Sequence, residues 1–438
     1  MPCRGVGFDR DQTRRCDLSQ WPGLVRALNT PVSARLAQVV GRSYGRLLAL
    51  LAAQSRDIAA AEDALADALE RAMQRWPRDG VPDNPEAWLV TVARNRLRDM
   101  WKSPVYRLTG PWTEGHDVAW EMADPAAIPD RRLELMLVCA HPAIAADIRT
   151  PLMLQTVLGV DAAAIASAFA VAPATMAQRL VRAKKRIRDT GIPFAMPERA
   201  DLDARLPEVL EAVYGAYSID WLSVPHAPAI ESLSSEALHL AMVLVELLPD
   251  EPEALGLAAL MCLCEARRPA RVDSDGNFVA LDDQSRDRWD GELRARGERL
   301  LARAHGFARP GRFQYEAAIQ SAHCAPDVDR HALRKLYRAL MRFGPSLGAA
   351  VALAALDGEI DGADAGLRAL DTITDHSAGA FQPAWVTRGH LLAEAGRVDE
   401  AAAAYRRAIE LTADDAVRTY LAGRLTGLRS TGQTGPGS

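Results

Sequence analysis

The chain has 438 residues, 49% of them hydrophobic and 25% charged, with a formal net charge of -5. That length accommodates about three domains at roughly 150 residues each, and the charge excludes a protein that grips duplex DNA over a broad basic face, so any nucleic-acid contact is local or delivered by a partner. Six scattered cysteines, a start lacking the apolar core of a secretion signal, and no apolar run of membrane-spanning length lead us to expect a reduced, soluble, cytoplasmic protein with no membrane contact.

Residues 1–31 form an N-terminal extension without a clear pattern, and helical periodicity begins near residue 32 and continues to 102. Leu36, Val39, Val40, Tyr44, Leu47, Leu48 and Leu51 make one apolar stripe, and Ala61 to Trp76 make a second. Pro77 to Pro85 breaks the pattern with Pro, Gly and Asp. A third helix is expected from Glu86 to Lys102, where Trp88, Leu89, Val92, Leu97 and Trp101 alternate with Arg94, Asn95, Arg96 and Arg98. Trp88 continues that stripe and is assigned to the core rather than to base stacking. Residues 103–130, rich in Pro, Gly and acidic side chains, read as a linker.

Helices resume near Arg131 and stop at the Gly191 to Pro193 signal, giving a second helical domain over 131–192. Within it, residues 161–188 have the sequence form of a helix-turn-helix ending in a dense run of cations. Ile165, Phe169, Met176, Leu180 and Ala183 fall at inward spacing, with Pro173 opening the second helix, where no amide bond is lost. Thr175, Gln178, Arg179, Arg182, Lys185 and Arg186 remain to meet DNA, Arg reading guanine and Gln reading adenine, while Lys184 and Arg188 join the phosphate-gripping cations.

Residues 193–425 are Ala/Leu-rich helices broken at 249–252, 274–277, 357–358 and 361–362, with one small hairpin allowed between Arg271 and Leu281. Trp385, Gly389, Leu392, Gly396, Ala401, Tyr405 and Ala408 fall on the positions of a tetratricopeptide repeat, in which small residues let antiparallel helices approach and large ones fill the gap. One repeat is not stable alone, so the helices from about 200 to 380 are expected to stack with it. Residues 426–438 read as a disordered tail. The fold class is therefore all-α: two small helical domains joined by a linker, then a large tetratricopeptide-like domain.

The order of Ala61–Ala72, Ala87–Asp99 and the helix-turn-helix resembles that in bacterial extracytoplasmic-function sigma factors of the sigma-70 family, the first two segments resembling region 2 and the third region 4. Pro249–Leu257, Ala266–Arg271, His141–Pro142 and the repeat resemble the subgroup carrying a helical, tetratricopeptide-like extension. The resemblance implies a protein that is not an enzyme and takes no cofactor, with RNA polymerase core enzyme and promoter DNA as partners. It further implies that Asp63 and Asp67 dock on the polymerase, that Arg94, Asn95, Arg96 and Arg98 face the -10 element, and that the helix-turn-helix, with Thr175, Gln178, Arg179, Arg182, Lys184, Lys185 and Arg186, reads the -35 element. The extension is expected to regulate activity and to offer a surface to a peptide or protein partner.

An alternative reading is a helix-turn-helix regulator with a tetratricopeptide sensor, which has no use for the 61–72 and 87–99 motifs; another is an adaptor scaffold, which leaves the six cations of 179–188 unexplained. Cys262 and Cys264 with His323 and Cys324 have poor zinc spacing, and Asp273–Asn277 places its glycine wrongly for a calcium loop, so buried thiols, a turn and no metal are expected.

Overall fold

The computed structural model describes residues 31–102, 130–169, 171–221, 233–373, 379–412 and 414–431. The N-terminal extension, nearly all of the 103–130 linker and the end of the tail lie outside them. The described chain is all-α, 78% helical in eighteen helices, with no strand. The hairpin expected at 271–281 reduces to one antiparallel bridge, Val272 to Phe278. Two compact units divide at Ala216 and Tyr217. No described helix is long and apolar enough to cross a membrane.

In the first unit, α1 (Pro31–Ser55), α2 (Ile58–Asp79) and α3 (Pro85–Lys102) pack on one another. Asp57 caps α2 by accepting from the Ala60 amide at 3.2 Å, which contributes about 1 kcal/mol. The stripes named from periodicity close the core: Leu47, Leu48, Leu51, Leu65, Trp76, Leu89 and Leu97 are buried, each large aliphatic contributing roughly 1.5–3 kcal/mol. Trp88 is half-buried, edge-on to Trp76 at 5.5 Å between ring centres. Pro77 does not end α2, which continues to Asp79. Standing in the last turn, the proline forfeits only one bond of the helical ladder, and Gly80, at φ 84, stops the helix instead.

The same unit holds α4 (Arg132–Cys139), α5 (Ala146–Thr156), α6 (Ala162–Ala168) and α7 (Pro173–Thr190). Ile165, Met176, Leu180, Ala183 and Ile187 are buried as the spacing requires. Phe169 is not: it is 36% exposed, because α6 ends at Ala168 and the ring stands in the turn, out of helical register. Gly191, at φ 63, closes α7 in the left-handed conformation that glycine adopts without penalty. The helix α8 (Arg199–Trp221) begins in this unit: Glu208 pairs with Arg149 at 2.5 Å, and Arg205 donates to the Leu137 carbonyl at 3.3 Å. The unit thus runs to Ala216, past the boundary expected at 192.

The second unit opens with α9 (Leu233–Leu247) and α10 (Pro252–Glu265). Every residue of α10 except the half-buried Glu253 is buried, as its largely apolar character demands, and α9, α11 (Gly291–Gly306) and α12 (Arg312–Cys324) surround it. Then come α13 (Arg330–Phe343), α14 (Leu347–Asp361), α15 (Ala363–Asp371), α16 (Gln382–Glu394), α17 (Val398–Leu411) and α18 (Asp415–Thr431), each packed on its predecessor. Asp290, Asp329 and Ser346 cap α11, α13 and α14. Gly389 is buried where an added Cβ would lie 3.2 Å from the Tyr405 ring, so the small and large positions of the repeat pattern meet across α16 and α17. The tail expected from 426 is helical as far as Thr431.

His323, on α12, has its pKa drawn down to about 4 by burial and then by the Arg267 and Arg330 guanidiniums, with Asp282 opposing. A depressed folded pKa gives stability that is complete above the unfolded value near 6.5 and is lost as the pH falls towards 4. Thermal unfolding of the chain is therefore expected to weaken across that window, and His323→Gln to flatten this part of the profile; identical profiles would refute the assignment.

Candidate nucleic-acid interface

On α7 the helical period divides the side chains into two faces. Met176, Leu180, Ala183, Lys184 and Ile187 point inward, while Thr175, Gln178, Arg179, Val181, Arg182, Lys185 and Arg186 are exposed. The outward residues are lightly tethered. Arg182 donates to Gln178 Oε1 at 3.3 Å, Arg179 pairs with Asp147 at 3.2 Å and Lys185 with Asp189 at 2.8 Å. Such exposed pairs contribute little to stability and yield readily to a phosphate. The hydrogen bond from Lys185, more than any other contact, holds the Asp189 carboxyl below its ordinary range.

Lys184 departs from its expected role. Instead of facing a phosphate it is 8% exposed, and its Nζ donates to both carboxylate oxygens of Glu62 on α2, at 2.6 and 2.7 Å. Lys184 falls four residues after Leu180 and eight after Met176, so the period that buries those two turns the ammonium the same way. Burial raises the Glu62 pKa, against the opposing pull of Lys184. One turn later Arg188 reaches Asp57, which is itself buried, at 3.5 Å. Elsewhere in the unit Gly45 brings α1 onto the end of α5 so closely that a Cβ there would overlap the Val157 carbonyl. The two helical groups are thus joined by an ion-paired seam and by a backbone contact open only to glycine. Glu62, Asp57 and Gly45 carry no signal of partnership in the sequence beyond their places on or beside apolar stripes.

On α3, Asn95, Arg96 and Arg98 are exposed, and Arg94 is half-buried with its Nε donating to Gln54 at 3.0 Å. Burial, then the neighbouring Arg98, lowers the Arg94 pKa. On α2, Asp63 is exposed, whereas Asp67 faces Arg71 at 3.0 Å and Arg96 at 3.9 Å. Asp67 and Arg96, expected to serve different partners, therefore meet each other.

Residues 39–104, which hold α2, α3 and most of α1, match sigma-70 region 2. The chain carries a sigma-70 region 2. Its similarity to the probable RNA polymerase sigma factor RfaY of Xanthomonas campestris pv. campestris agrees: 31% identity over 166 residues, covering 34% of this chain and 40% of that protein. The chain also shares one family with the uncharacterized protein R00370 of Rhizobium meliloti, to which it is 32% identical over 378 residues, 84% of this chain and 89% of the other. Residues 205–305 match a family of unknown function, DUF6596. No solved structure matches the chain.

Proposed function

We propose that this chain is a sigma factor of the extracytoplasmic-function group, acts in the cytoplasm and has no catalytic chemistry of its own. It directs promoter recognition by presenting α6 and α7 as a helix-turn-helix to the -35 element and α3 to the -10 element. The observation that carries this reading is the division of α7, with Thr175, Gln178, Arg179, Arg182, Lys185 and Arg186 on one open face and aliphatic anchors on the other. Gln178, Arg179 and Arg182 read base edges, while Lys185 and Arg186 neutralise phosphates. On α3, Asn95 both donates and accepts at an extruded base, and Arg94, Arg96 and Arg98 hold the strand beside it. Extrusion costs a few kcal/mol, which those contacts offset. Asp63 and Asp67 meet the polymerase, which requires Asp67 to leave Arg71 and Arg96.

The tetratricopeptide-like extension regulates the sigma part and takes a peptide or protein partner. What supports this is its extent: α9 to α18 form a compact unit with a core of its own. Run-off transcription with purified core polymerase on genomic fragments tests the function. A specific transcript that depends on the full chain is the expected result. Operator footprints without polymerase and no transcript would instead establish the regulator reading. If about six phosphates are neutralised, log affinity of the holoenzyme for its promoter falls with log salt at a slope of roughly -5; a slope near zero would remove α7 and α3 from the DNA.

A further inference from the structure

In the turn and short 3-10 helix that follow α10 stand three arginines, each less than 10% exposed: Arg267, Arg268 and Arg271. Two are accounted for by their neighbours. Arg268 donates to both oxygens of Glu265, at 2.6 and 2.7 Å, and to Ser234 at 2.6 Å, while Arg271 lies over the Trp221 ring, 4.2 Å from its centre. Arg267 is different. Its Nη2 donates to the amide oxygen of Gln320 and approaches Cys264 Sγ at 4.0 Å, and its buried Nε has no hydrogen-bond partner. Among the described residues no carboxylate lies within ion-pair distance of it. A guanidinium does not shed its proton, and an amide oxygen and a thiol offer it only dipoles, so the charge is left without a counter-ion where water is scarce.

The groups around Arg267 are mainly hydrogen-bond donors. Gln320 and His323 stand one turn apart on α12, and Tyr337 comes from α13; the last two both feel the Arg267 charge. His323, drawn down to about 4, is neutral at pH 7 and has one ring N–H to give, and burial holds the Tyr337 hydroxyl protonated, at about 12. Four acids lie near: Glu316, beside Tyr337, is engaged by Arg312 at 2.7 Å, Glu265, beside Cys264, is held by Arg268 at 2.6 Å, Asp282 acts on His323 and Glu298 on Cys324. Gln320, His323 and Tyr337 are each partly open to solvent.

We infer that Arg267, Gln320, His323 and Tyr337 form a binding site for a small oxyanion, a phosphate, sulfate or carboxylate group, seated on the Arg267 guanidinium between the turn that follows α10 and the helices α12 and α13. The site lies wholly in the C-terminal unit and does not depend on the promoter-binding reading. It would give the extension a small-molecule input of its own.

The test is thermal unfolding of the full chain with sodium phosphate, sulfate or acetate against sodium chloride at equal ionic strength, with calorimetric titration of inorganic phosphate. At least one oxyanion is expected to raise the midpoint saturably beyond chloride, and the order among the three identifies the group. Arg267→Met abolishes the saturable shift. Tyr337→Phe, which keeps the ring and hence the packing, weakens phosphate binding several-fold and guards against an Arg267 variant that fails to fold. Shifts equal to chloride for all three oxyanions, or saturation retained in folded Arg267→Met, would overturn the site.

Discussion

Lys184→Met is expected to destabilise the first unit by about 2 kcal/mol at pH 7, below the roughly 3–5 kcal/mol of a fully buried pair because Glu62 keeps 23% of its side-chain surface. The variant leaves a carboxylate in a place chosen for an ion pair. The sign of the pH dependence follows from Glu62, whose folded pKa is already raised by burial despite Lys184. Without the ammonium it rises further, so the folded state binds a proton more tightly than the unfolded one. The deficit is then largest above the folded pKa and shrinks as the pH falls through it. Melting of the variant and the parent at pH 7 and pH 5 reads this directly: a gap that narrows at pH 5 supports the pair, and a constant gap speaks against it. Adding Glu62→Gln to Lys184→Met recovers part of the loss, because the orphaned charge is gone.

Arg179→Ala and Arg182→Ala are each expected to weaken specific promoter binding by the holoenzyme about 10- to 100-fold, the 1–3 kcal/mol that one base-reading contact supplies. Both guanidiniums are exposed, and their tethers are an exposed aspartate and a glutamine, so little is spent in freeing them. The two classes of α7 cation separate by experiment. An arginine that reads a base loses discrimination at one promoter position, whereas Lys185→Ala weakens all sequences alike and lowers the salt slope by about 1. Competition binding against promoters substituted base by base distinguishes them. Equal losses on every template would demote Arg179 and Arg182 to phosphate contacts.

Much of this architecture was legible in the residues because helical amphipathicity is a repeated signal. Leu47, Leu48 and Leu51 on α1, and Met176, Leu180 and Ala183 on α7, name their own buried faces. Single residues at element ends were less legible. Phe169 fits the stripe by count yet stands one residue beyond α6, and Pro77 is a helix breaker that costs little in a last turn. Lys184 shows the deeper limit. Its spacing gave its direction, but its charge suggested solvent, and only the three-dimensional fold supplies Glu62, from more than a hundred residues away, to reconcile them. The same holds for Arg267, whose want of a counter-ion is a statement about what does not come near it.

The opening turns of α8 bear on how the regulatory question is posed. A fragment cut after residue 192 would strip Glu208 from Arg149, a guanidinium whose side chain retains only 14% of its surface, and would remove the Arg205 bond to the Leu137 carbonyl. Such a fragment carries a folding defect unrelated to signalling, and its inactivity would counterfeit the loss of an activating extension. Scission beyond Ala216 separates control from integrity.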